Sequence, residues 1–184
     1  SRAVGPSAVE RQALAMIDAP PAPVGRDGYA ALYAVGHDVP PAEQARVLAE
    51  DVRRFSDQSP KLDGPAPEWS SALQQLPELG GPREGDPDWC SLRKSDCLER
   101  VRAAPQAYAG LLERNAALLD RAAALAEWDH FRSPFPARFD TPLPAYQPLT
   151  RLLTREAWRF ANGDVDGALA GACAGVSQGR KLIA

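Results

Sequence analysis

The chain has 184 residues, 45% of them hydrophobic, which is enough for one packed domain and too apolar for a disordered one. Its 21 basic and 24 acidic residues are interspersed and leave a formal net charge of -3, which argues against a nucleic-acid surface built on a concentrated basic patch. No run of about 18 apolar residues offers a membrane span, and the 18 prolines, about twice the usual share of roughly 5%, mark stiff connections between helices.

The chain opens on SRAVGPS without an initiator Met and stops on GRKLIA in mid-helical pattern, so both ends read as cut edges of a longer protein. Ser7 to Asp18 spell a short amphipathic helix with Val9, Leu14 and Ile17 near one face, stopped by the extended proline segment APPAPV. Asp27 is placed to cap a helix over Gly28–Val35, anchored by Tyr29, Leu32 and Tyr33 and ended by Gly36. Pro40 and Pro41 start the next helix, which runs to about Phe55 with Ala45, Leu48, Val52 and Phe55 facing inward. Ser56 to Asp88 is a loop punctuated by Pro and Gly; a loop this long is normally functional or mobile. Trp69 and Leu73 are expected to tack it to the core through a short helical turn.

Leu92 to Trp128 is the longest helical pattern and the expected centre of the fold. Leu98, Val101, Tyr108, Leu111, Leu112, Leu118, Leu119, Ala122 and Leu125 recur at helical spacing, and Glu99, Arg102, Glu113, Arg114, Asp120 and Arg121 form the opposite, solvated face. Pro105 breaks the pattern near Ala103 and Ala104, so a long helix is predicted from Pro105 to about Trp128. His130 to Pro144 is a second irregular, proline-rich stretch. Two helices follow, Ala145–Asn162 and Asp164 to the end, with Gly163 ending the first and Asp164 capping the second. Leu149, Leu153, Ala157 and Phe160 are expected to face Val165, Ala168, Leu169, Ala172 and Val176, with small residues allowing close approach. The pair resembles the helical hairpin of tetratricopeptide-type repeats, without recurring earlier at a period of 34 residues. No alternating strand pattern exists anywhere. The fold class is therefore all-α: one irregular helical bundle over residues 1–184, with long Pro-rich loops at 56–88 and 130–144 and a repeat-like C-terminal hairpin.

Cys90 and Cys97 sit at the mouth of the central stretch, where a disulfide would staple loop to helix; two unpaired thiols are the alternative. Pairing implies an oxidising compartment. Cys173 lies on the apolar face of the last helix and is expected to be a buried small hydrophobe. Three cysteines and two distant histidines make no zinc pattern, and no metal or other cofactor is indicated.

His130 stands in EWDHFR. A catalytic reading makes it a base oriented by Asp129 or Glu127, but chain neighbours rarely point at each other and no nucleophile elbow exists. The preferred reading buries Trp128 and Phe131 while the charges cap the helix end, so no catalytic residue is assigned. Phe131, Arg132, Phe135, Arg138 and Phe139, with Trp69 from the earlier loop, are the candidate partner-binding residues, because aromatic and Arg anchors on stiff loops are what protein interfaces use. The alternative is that the phenyl rings tack the loop to the core.

APPAPV followed by GYAALYAVG, a W-C…DCL pair opening a long helix, FxTPLPxY and the GDVDGAL hairpin together resemble a set of uncharacterised proteobacterial envelope proteins. That resemblance implies an upstream inner-membrane anchor and a helical periplasmic part, and it carries no catalytic motif. The expectation is a non-enzymatic periplasmic protein that binds another protein, in one version a secreted toxin that it neutralises, in another an envelope component that it helps assemble. It implies no nucleic acid and no membrane contact except through an anchor outside these residues.

Overall fold

Apolar positions at helical spacing, punctuated by proline, fold into helices joined by tied-down loops. The computed structural model describes residues 7–12, 24–58, 70–81, 83–91 and 93–183. We number the helices α1 (Tyr29–Tyr33), α2 (Pro41–Ser56), α3 (Cys97–Ala103), α4 (Pro105–Arg114), α5 (Ala116–Ala124), α6 (Gln147–Ala161) and α7 (Val165–Ile183), with 3-10 turns at Ala72–Gln75 and Leu125–Glu127. Residues 8–12 are helical as well. The described residues hold no strand, only isolated bridges between Asp27 and His130 and between His37 and Glu78, so the fold is all-α. The rest of the expected Ser7–Asp18 helix, the proline segment before Val24, and Trp69 lie outside the described residues. No described helix is long and apolar enough to cross a membrane.

Two helical expectations are corrected. The inward face of α2 carries Val47, Leu48, Asp51 and Phe55, while Ala45 is exposed. The long helix after Pro105 is broken at Asn115, which is buried. Its side-chain amide donates to the Leu111 carbonyl at 2.8 Å, the acceptor its own backbone N–H would otherwise use, and that N–H turns to Leu112 instead. The Asn115 side-chain oxygen then accepts from the Gly81 backbone, 3.2 Å away, so the kink holds the preceding loop.

The central element is α6 rather than the 92–128 stretch, because α6 alone packs against α3, α4, α5 and α7. Leu152 enters one apolar cluster with Leu112, Leu119 and Ala122; Leu153 and Ala157 pack on another around Cys90, Val101, Tyr108 and Leu111. A third cluster gathers Tyr29, Tyr33, Val47, Phe55, Leu73 and Phe135. Short α1 joins the halves: its tyrosines enter the last cluster, and Leu32 enters the first.

The loops are anchored by buried polar groups. Asp51 is fully buried and accepts from Tyr33 Oη at 2.7 Å, Ser71 Oγ at 2.5 Å and the Ala72 backbone at 2.8 Å, which ties the 70–76 segment to α2. Burial and the neighbouring carboxylate push the Tyr33 phenol well above its ordinary pKa. Cys90 and Cys97 are bonded, with Cα atoms 5.2 Å apart, and the Cys90 backbone donates to Thr154 Oγ1 at 2.8 Å. The disulfide thus joins the loop to α3 and, through Thr154, to α6.

Candidate functional site

The α6–α7 hairpin is built to be tight at one end and open at the other. Gly163 adopts φ +92, and Asp164 caps α7 by accepting from the Gly167 backbone at 3.0 Å while its other oxygen takes the Arg159 side chain at 2.8 Å. Glycines then recur on α7 at Gly167, Gly171, Gly175 and Gly179, one per turn with a small drift. At Gly167 a Cβ would collide with Asp164 and Arg159, and at Gly171 with the Glu156 carboxylate; at Gly175 and Gly179 it would meet nothing. The first two glycines therefore sit against α6, and the last two face open space.

Glu156 is only 5% exposed. Its oxygens accept from Arg155 at 2.9 Å and Arg159 at 3.3 Å, so the carboxylate at the tight end is neutralised by guanidinium groups of its own helix. Beyond it the helices part around a cavity of about 330 Å³, lined by Tyr146, Leu149, Leu153, Gly175, Val176 and Leu182 among others. The far end of α7 is pinned again. Gln178 donates to the Ala122 carbonyl at 3.0 Å, and Lys181 to those of Ala126 and Trp128 at 2.9 and 2.6 Å. These carbonyls end the 116–127 helical run, where a cation is favoured. The groove is thus a fixed gap between two fastened ends, largely apolar, with Thr150, Glu156 and Gln178 as polar members of its wall beside Tyr146.

The outer side of α7 departs from expectation. Ala168 is buried as the pattern predicts and Val176, though 63% exposed, borders the groove with Leu149 and Leu153, but Leu169 is 55% exposed and Val165 is exposed too. Cys173, expected to be buried, is exposed and free. The reason is the glycine register: in the first half of the helix Gly167 and Gly171, not Val165 or Leu169, are the residues set against α6.

The predicted binding residues of the 131–139 loop are divided by the structure. Phe135 lies in the core, its ring 5.5 Å from Tyr33 and 5.6 Å from Phe55. Arg138 covers the Phe55 ring at 4.2 Å, donates to the Phe55 and Gln58 carbonyls, and pairs with Asp140 at 2.6 Å. That contact holds the Asp140 carboxyl below its usual range. Phe131 is half-buried against two core clusters. Arg132 and Phe139 are exposed, Phe139 by 80%. The loop is therefore mainly a strap over the core, with Phe139 standing free of it.

His130 does not pair with Asp129. The Asp129 carboxylate accepts from the Arg26 backbone at 2.7 Å, and the carboxylate facing the His130 ring is Asp27, 3.8 Å from Nδ1. Glu127 offers its carbonyl to Arg26. A second cavity, about 230 Å³ between Arg26, Gln44, Arg121 and Trp128, is not lined by His130. Among the described residues no group of three or more His, Cys, Asp or Glu side chains is placed to hold a metal.

Sequence reasoning missed Glu156, Asp51 and the open half of the hairpin. The four-residue glycine spacing was the available signal for the last, and the position of Asp51 one turn before Phe55 was the signal for the second. No family model, curated protein or solved structure matches this chain.

Proposed function

We propose that this chain is a non-enzymatic protein-binding module of the bacterial periplasm, and that its partner docks in the α6–α7 groove. The observation that carries this reading is the fixed, largely apolar gap of about 330 Å³. A groove between two helices suits the apolar face of a third, entered by side chains at successive turns. The Cys90–Cys97 bond supports an oxidising setting, and the resemblance to proteobacterial envelope proteins points the same way. Small size, net negative charge and the lack of a catalytic motif agree with an immunity protein that neutralises an antibacterial effector. A second reading, a factor that assembles an envelope complex, draws on the placement of the groove in the repeat-like hairpin.

The test is a pull-down from envelope extract supplemented with the products of adjacent genes, run with the wild-type chain and with Gly175→Leu. A Cβ at Gly175 meets open space in the groove wall, so a leucine there is expected to project into the groove. One toxin-like partner, held by the wild type and lost by the variant, supports the immunity reading. A stoichiometric envelope assembly lost in the same way supports the second. Partners retained equally by both chains would remove the groove from the account.

A further inference from the structure

The outer face of α7 is a surface distinct from the groove. Val165, Leu169, Cys173 and Val176 follow one another at helical spacing and are all exposed; Val176 marks the edge shared with the groove. Between Gly167 and Gly179 the helix carries no charged side chain. Charge is confined to its ends: Asp166 at the start, and Arg180 and Lys181 near the finish; Lys181 is turned to the Ala126 and Trp128 carbonyls, while Asp166 and Arg180 are exposed and in no ion pair among the described residues. These two stand at equal distance from Cys173, seven residues or about two turns on either side.

We propose that a second copy of this chain covers this face, its α7 lying antiparallel with the two-fold axis at Cys173. A two-fold contact must be self-complementary, and α7 meets that requirement. Reversal about Cys173 brings Asp166 of each copy beside Arg180 of the other and lays Leu169 against Val176. A parallel arrangement would set Asp166 against Asp166 and Arg180 against Arg180. The small side chains at Cys173 and Ala170 let the helices approach at the axis. The exposed third cysteine, left over from the Cys90–Cys97 pair, meets its own copy there.

Sedimentation of the wild-type chain in reducing agent, from low to high micromolar concentration, is expected to reveal a reversible dimer. Asp166→Arg and Arg180→Asp should each weaken association about tenfold or more by placing like charges together, and the double variant should restore it. Mild oxidation with copper phenanthroline, which removes two electrons and two thiol protons per crosslink, should trap a covalent dimer that Cys173→Ser abolishes. All three changes lie on exposed positions, and Gly175→Leu leaves them untouched, so this proposal and the groove reading fail separately. A chain that stays monomeric, whether or not it adsorbs to lipid vesicles, overturns the proposal. So does a dimer that ignores the charge reversals.

Discussion

Glu156 and Gly171 meet across the α6–α7 hairpin so closely that the Glu156 carboxylate occupies the space a Cβ at Gly171 would need. Arg155 and Arg159 clamp that carboxylate, so it cannot swing aside cheaply. Gly171→Ala is therefore expected to destabilise the fold by roughly 1–3 kcal/mol, as overpacking does. Gly175→Ala and Gly179→Ala meet no atom and replace glycine inside a helix, so each should add about 0.5–1 kcal/mol. Urea unfolding of the three variants tests the opposite signs; a loss at Gly175 would mean that α6 and α7 close on each other there and leave no gap.

Asp51 collects the Tyr33 hydroxyl, the Ser71 hydroxyl and the Ala72 N–H in a site closed to water. Asp51→Ala strands all of those donors and should cost roughly 3 kcal/mol or more. Asp51→Asn keeps the shape and one oxygen acceptor and should cost less. Amide exchange should show the loss first in the 70–76 segment, which the carboxylate ties to α2. Protection there that survives Asp51→Ala would rule out the tether.

The helices were largely legible because their apolar spacing and prolines act locally. Pro41 and Pro105 stand at helix starts, and Gly163 with Asp164 makes the hairpin turn. What stayed hidden depends on distant neighbours. Asn115 breaks a helix that its flanking Leu and Ala residues would continue, because its side-chain amide donates to the Leu111 carbonyl while its oxygen accepts from the distant Gly81 backbone N–H. Cys173 and Leu169 fit an apolar helix face equally well whether that face is covered or bare; only the glycine register against α6 decides it. Phe135 and Phe139 sit four residues apart in one loop with similar flanks, yet one is core and the other surface. The difference lies in Tyr29, Tyr33 and Phe55, which local sequence does not bring near.

The Cys90–Cys97 bond closes a short ring at the start of α3 and sits in the cluster of Val101, Tyr108 and Leu111. Loop-closure entropy for such a ring corresponds to about 2–3 kcal/mol. A Cys90→Ala/Cys97→Ala chain should lose about that much in urea unfolding, and wild type in reducing agent should lose a similar amount. Cys173→Ser should leave stability unchanged, because that side chain is exposed and unpaired. Equal stability of oxidised and reduced wild type would remove the bond from the fold's support.

His37 is half-buried after α1, its Nδ1 without a hydrogen-bond partner, and desolvation lowers its pKa below the ordinary value; the Arg121 charge adds to this and Glu78 opposes it. The folded chain therefore binds this proton less readily than the unfolded one. Stability conferred by the neutral ring is full above the unfolded pKa of about 6.5 and is lost as pH falls below it, down to the folded value. Arg121 would feel the new charge directly, since it holds the His37 and Val39 carbonyls at 2.7 and 2.8 Å. Thermal unfolding across this window should show a falling midpoint for wild type and a flatter profile for His37→Gln. A slope that survives unchanged in His37→Gln would place the proton-linked group elsewhere in the fold.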